Sequence, residues 1–266
     1  MRCGPERQAP RSDADTKPNT HTNADAHPHA RHAALSGFTR ESSMLCKLAV
    51  FDLDGTILDT IDDLSASVNA ALRTSGFPER SVADVRRFVG NGIRRTLVLS
   101  APEGTSEAAV DRLYADFSNH YHLHNADRTR PYPGIPELLE TLRAAGIKTA
   151  VVSNKLDSAV KSLCGRFFPG LFDAAVGERD NVPRKPAPDG VLAVLEQLRV
   201  PADSAVYIGD SEVDIQTARN AGLDEILVAW GFKGRTFLAE HGAKHIVDTP
   251  TEIAALLTAR DGGILA

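Results

Sequence analysis

From Leu45 onward the chain alternates short apolar runs with amphipathic stretches. The runs are Lys47–Phe51, Lys148–Val152, Ala174–Val176, Ala205–Ile208 and Glu225–Val228. Within them apolar residues are continuous instead of alternating with polar ones, as expected of strands covered on both faces. Between them, helix patterns run over Gly134–Ala145, Asp157–Arg166, Asp189–Arg199 and Glu212–Ala221, and Thr251–Ala259 predicts a terminal helix. Gly146 and Gly222 stand where helix C-caps belong. Strands alternating with helices predict an α/β class, a doubly wound parallel sheet of the Rossmann-like kind, with right-handed crossovers. Such sheets hold their ligands at the carboxyl ends of the strands.

One stretch breaks the alternation. Residues 61–130 carry no strand signal but four helix patterns, Ile61–Thr74, Val82–Phe88, Gly92–Ser100 and Ser106–Tyr121. This predicts a small all-helical domain inserted after the first strand. Its borders fall near Thr60 and in Arg130-Pro131-Tyr132-Pro133-Gly134, where two prolines and a glycine mark a hinge. The α/β core then comprises residues 44–60 and 131–266. Residues 1–43 have almost no apolar side chains before Leu35 and predict a disordered extension, since they bury too little surface to offset chain entropy. Met44, just before the first strand, is the expected true start. His21, His27, His29 and His32 in the extension read as part of a polar tail, because nothing there fixes ligand geometry.

Composition narrows the function. The formal net charge of the 266 residues is -5 and no Lys/Arg stripe stands out, which argues against a nucleic-acid partner. No apolar run is long enough to span a bilayer, so no membrane partner is expected. Cys3, Cys46 and Cys164 are scattered, which fits a reducing cytoplasm better than a disulfide framework or a zinc site. The oligomeric state stays open.

The chemistry gathers at strand ends. The first strand delivers Asp52, and Gly55 allows the turn that brings Asp54 beside it. Two carboxylates so close repel unless a cation or proton separates them, which suits a hard divalent ion and a division of labour between nucleophile and acid/base. The plainer reading is an acidic loop pair. Ser153 and Asn154 end the next strand and either donate to a phosphoryl oxygen or cap the following helix. Lys185, between prolines, either holds a fixed phosphate charge or is solvated. Asp210 and Asp214 lie one helical turn apart and can face one cation, although Asp210 is equally an N-cap; Glu212 between them reads as solvated. The weight lies in the joint pattern, because parallel strands bring all four places to one edge of the sheet.

Asp52-Leu53-Asp54-Gly55-Thr56, Ser153-Asn154, Lys185 and Gly209-Asp210-Ser211-Glu212-Val213-Asp214 resemble the four motifs of the haloacid dehalogenase superfamily, in order and at usual spacings. The helical insertion resembles that superfamily's cap placed after the first motif. Phe88-Val89-Gly90-Asn91-Gly92, the hinge segment and Ser153-Asn154-Lys155 resemble its phosphoglycolate phosphatases. The resemblance implies a phosphatase acting on a small phosphorylated metabolite through a phospho-aspartyl intermediate on Asp52. It implies Asp54 as general acid and base, and Mg2+ as cofactor, held by Asp52, Asp54 and Asp210 with Asp214 nearby. It implies Ser153, Asn154 and Lys185 on the phosphate. Asn91, Gly92 and Arg94 are the cap's candidates for choosing the leaving group; Arg94 either pairs with a substrate carboxylate or is one of a solvated pair with Arg95. A metal site at His120, His122 and His124 would need inward-facing geometry that nothing else supports.

Rival readings are another small-substrate phosphatase or pyrophosphatase of the same superfamily, a haloacid dehalogenase, which lacks the second aspartate, a phosphosugar mutase, against which Thr56 weighs mildly, and a non-catalytic member that binds a phospho-ligand or a protein.

Overall fold

The structure, a computed structural model, describes residues 46–259. In chain order its elements are β1 (Leu48–Phe51), β2 (Leu58–Asp59), α1 (Ile61–Thr74), α2 (Val82–Phe88), α3 (Ile93–Ser100), α4 (Glu107–His124) and β3 (Arg130–Pro131). They continue as α5 (Ile135–Ala144), β4 (Lys148–Leu156), α6 (Asp157–Phe167), β5 (Ala174–Glu178), α7 (Asp189–Leu198), β6 (Ala205–Gly209) and α8 (Glu212–Ala221). The last are β7 (Asp224–Val228), α9 (Arg235–Glu240), β8 (Ile246–Val247) and α10 (Pro250–Thr258). The expected tail, Cys3 and Met44 lie outside the described residues.

Six strands form one parallel sheet in the order β5-β4-β1-β6-β7-β8. Strand β1 is central, and all four of its residues are 0% exposed. Their side chains alternate between faces, as a strand requires. Ala49 and Phe51 pack with Leu139, Leu163 and Ile253 from α5, α6 and α10. Leu48 and Val50 pack with Val191, Val194 and Ala218 from α7 and α8. Full burial of a side chain such as Phe51 contributes about 1.5–3 kcal/mol. This double cover is why β1 reads as an uninterrupted apolar run. After β1 the sheet grows to one side through β4 and β5, then to the other through β6, β7 and β8. The strand order reverses at β1, and a crevice at the carboxyl ends of β4, β1 and β6 follows from that reversal.

Residues 61–129 contain helices and no strand. Ile61, Leu64, Val68, Leu72, Val85, Leu97, Leu113 and Phe117 form their apolar cluster, which also takes in Ala159 of α6. The carboxylate of Asp63, 3% exposed, accepts from the main-chain N–H of Arg128 (3.0 Å) and from the N–H and hydroxyl of Thr129 (2.8 Å each). It thereby ties the start of α1 to the segment that follows α4.

Several elements differ from expectation. Strand β4 runs on to Leu156 instead of stopping at Val152, so Ser153, Asn154 and Lys155 lie within a strand. Helix α4 extends past Tyr121 to His124. The antiparallel pair β2–β3, with Leu58 opposite Pro131 and Asp59 opposite Arg130, has two residues per strand, too few to show a period. The same holds for β8 and the six-residue α9. No helix among the described residues is long and apolar enough to cross a membrane.

Candidate active site

Strand β1 carries the chain directly into Asp52, whose N–H still donates to Ile208 O of β6 (2.8 Å). Asp52 Oδ1 accepts from Leu53 N (2.7 Å) and meets the Lys185 ammonium at 3.0 Å. The turn that follows needs Gly55, with φ 82°, and a Cβ there would also overlap the Asp210 carboxylate. It returns Asp54 to the same crevice, where both carboxylate oxygens accept from Lys155 Nζ (2.8 and 3.0 Å).

Strand β6 ends on Gly209, and the Asp214 carboxylate lies against it with no room for a Cβ. Asp214 Oδ2 accepts from the N–H groups of Asp210 and Ser211 (3.1 Å each) and from Ser211 Oγ (2.7 Å), closing the first turn of α8. Its Oδ1 takes Lys185 Nζ at 2.8 Å. Asp210 Oδ2 accepts from Phe232 N (2.7 Å). Lys185, 5% exposed, also donates to the Tyr207 hydroxyl (2.9 Å), which in turn donates to Val152 O (2.9 Å).

Oxygens of Asp52, Asp210 and Asp214 all lie within 4.8 Å of one another. Burial, aided by Asp214 and Asp54, pushes the Asp52 carboxyl up to about 6 against the pull of Lys185. Burial, then Asp214 and Asp52, raises Asp210 well above the usual carboxylate range. Burial works against the Lys185 ammonium too, yet Asp214 and Asp52 outweigh it and hold the group firmly charged. Three carboxylates around one ammonium leave a buried excess of negative charge, and an all-oxygen donor set of this kind fits a hard divalent cation.

Ser153 lines the same cavity as Asp52, Asp54 and Asp210. Asn154 Nδ2 donates to Lys185 O (3.0 Å) and Gly90 O (3.3 Å), so its amide hydrogens bind protein carbonyls. Lys155, which motif reading left without a role, is 8% exposed, pairs with Asp54 and stands 4.6 Å over the Tyr121 ring of α4. Its sequence signals are its place in Ser153-Asn154-Lys155 and a charge directly after a polar pair that follows an apolar run.

The helical residues divide. Gly92 lines the cavity with Val89 and Gly90, whereas Asn91 is exposed and does not line it. Arg94 does not line it either; its guanidinium is bound to Asp111 and Glu107 of α4 (2.6 Å each) and its side chain is 40% exposed. His120 Nδ1 meets Ser67 Oγ (2.9 Å) and His124 Nδ1 meets Asp127 (2.8 Å); the aspartate trio is the one group able to hold a metal among the described residues. Glu212, expected to be solvated, is half-buried with Oε2 enclosed. The cavity measures about 70 Å³; Leu64, Ile93 and Phe117 supply an apolar wall, while Phe232 lies beside Asp210.

A family model for haloacid dehalogenase-like hydrolases matches residues 49–228. The chain belongs to this family. Among curated haloacid dehalogenase-like relatives, the phosphoglycolate phosphatase of Aquifex aeolicus (strain VF5) is 34% identical over 187 residues, 70% of this chain and 86% of that protein. That of Agrobacterium fabrum (strain C58) is 36% identical over 196 residues, 72% and 84%. A crystal structure from Lactobacillus delbrueckii subsp. bulgaricus, provisionally named phosphoglycolate phosphatase, superposes with a TM-score of 0.77 at 42% identity, covering 80% of this chain and 99% of that one. These relatives group this haloacid dehalogenase-like hydrolase with the family's phosphatases.

Proposed function

We propose that this phosphatase hydrolyses 2-phosphoglycolate with Mg2+ through a phospho-aspartyl intermediate on Asp52. The observation that carries the reading is Asp52 itself. It is a carboxylate at the tip of the central strand, pinned between a buried ammonium and two further carboxylates, with a fourth carboxylate, Asp54, two residues on across the turn.

In this reading Asp52 attacks phosphorus in line, the ester P–O bond breaks, and Asp54 gives its proton to the departing alcohol oxygen. Water then attacks the acyl phosphate as Asp54 takes back a proton, and the Asp52–phosphorus bond breaks to release phosphate. Two displacements replace one harder step. Bound Mg2+, held by Asp52, Asp54 through its carbonyl, and Asp210, with Asp214 in support, would offset repulsion between the carboxylate and the anionic phosphate. Ser153 and Lys185 hold phosphoryl oxygens, where charge accumulates. Asn154 serves by fixing the main chain at Lys185. The helical insertion of residues 61–130 acts as a cap over the crevice, limiting water and the size of the leaving group. The free, buried Cys46 and Cys164 fit a reducing, cytoplasmic setting.

The test is phosphate release from a panel of small phosphomonoesters, with Mg2+ and after chelation. The expected result is metal-dependent turnover with 2-phosphoglycolate well above an aryl phosphate, and a loss of about 1000-fold or more in Asp52→Asn. Near-normal turnover by Asp52→Asn refutes the nucleophile. A 2-phosphoglycolate rate no better than the aryl phosphate removes the substrate assignment.

A further inference from the structure

The cavity has a phosphate side, built by Asp52, Asp210 and Ser153, and an apolar far wall. A leaving group must lie towards that wall, and the cations there decide what it can be. Lys185 belongs to the phosphate side, where it meets Asp52, Asp214 and Tyr207. Arg94 is held by Asp111 and Glu107. Lys233 lines the cavity, half-buried, but donates to Arg87 O (3.0 Å). Lys155 remains. Its ammonium is enclosed, lies 2.8 Å from the acid/base carboxylate and 4.6 Å from the Tyr121 ring, in a cavity that Leu64, Phe117 and Leu156 also line.

We infer that Lys155 selects the leaving group, pairing with the carboxylate of a short anionic alcohol. This inference rests on the phosphatase reading above. A cation so enclosed needs an anion within reach, because an unpaired buried charge is costly. Asp54 supplies it in the resting site, and a carboxylated substrate brings a second. A neutral leaving group of the same shape adds no second anion, so discrimination arises from the ion pair that only the carboxylated group gains. Leu64, Ile93 and Phe117, which line the same cavity, offer a leaving group apolar contact only.

The experiment compares kcat/KM for 2-phosphoglycolate and for its uncharged carboxamide in the full, Mg2+-loaded protein and in Lys155→Met and Lys155→Gln. Any loss shared by both substrates reports on Asp54, which Lys155 also positions; the ratio between substrates reports on recognition. The wild-type protein is expected to prefer the acid, and the ratio is expected to shrink about 30-fold or more in both variants. Titration of 2-phosphoglycolate into Asp52→Asn, with and without Lys155→Met, is expected to show a similar loss of affinity without turnover. An unchanged ratio in the variants, or unchanged affinity, overturns the inference. A wild-type protein that turns over both substrates equally overturns it while leaving the phosphatase reading intact. A folded wild-type protein that releases phosphate from neither overturns both.

Discussion

Replacing Asp63 with alanine should loosen the base of the helical insertion and destabilise the protein by about 2–4 kcal/mol. The carboxylate is buried and accepts from two main-chain N–H groups and one hydroxyl, all from Arg128 and Thr129. Alanine supplies no acceptor. Each buried donor left unsatisfied costs about 1–3 kcal/mol, so the two N–H groups set a range of roughly 2–6 kcal/mol. Water entering the space vacated by the carboxylate, and beside the exposed Arg128, brings the loss towards the lower half. For a domain of this size about 2–4 °C of melting temperature accompanies each kcal/mol, giving a drop of about 5–15 °C. Urea and thermal unfolding followed by circular dichroism measure it. The neighbouring Asp62, half-exposed in the same first turn, is the control, with an expected loss below about 1 kcal/mol from the helix dipole. If Asp63→Ala costs no more than Asp62→Ala, the clamp does not hold the insertion and the argument fails.

Gly231→Ala should cost about 1–3 kcal/mol and impair turnover, because a Cβ there overlaps Asp210 and meets Gly55 O at 2.6 Å; wild-type melting and rates would refute it. Mg2+ at a hundred times its dissociation constant should stabilise the chelated protein by about 2.7 kcal/mol, and Asp210→Asn should lose most of that gain; an equal thermal shift in both would exclude Asp210 as a ligand. Burial raises the Cys46 and Cys164 thiols to about 11 and about 12. The unfolded chain therefore releases these protons first, so stability present below about pH 8.5 is lost as pH rises, by about 1.4 kcal/mol per thiol per unit until the folded values are reached. Unfolding at pH 8 and pH 10 should show a smaller decline in the double alanine variant than in the wild type; identical declines would sink the idea.

The sheet was legible because its strands are covered on both faces, which leaves an apolar run that no helix pattern imitates. The rim residues were legible for a related reason: Asp52, Ser153 and Asp210 follow such runs, and parallel strands carry their ends to one edge. What escaped depends on contacts across space. Arg94 sits in a segment that lines the crevice, but its partners Glu107 and Asp111 lie on the next helix, and their spacing does not announce the pairing. Lys155 escaped because a lysine is ordinarily solvated; only the approach of Asp54 and Tyr121 explains its burial. The short β2, β3 and β8 offer no period to read.

The pairing of Asp59 with Arg130, in a two-stranded sheet of their own, means that the chain enters and leaves the helical stretch at neighbouring points, about 5 Å apart. Pro131 has no N–H to extend the ladder, so the join remains minimal. A detour that closes on itself in this way needs only two neighbouring points of attachment along the main chain. Residues 61–129 therefore hang from one short join, and what ties them to the crevice is side-chain contact, Tyr121 with Lys155 and Gly90 O with Asn154.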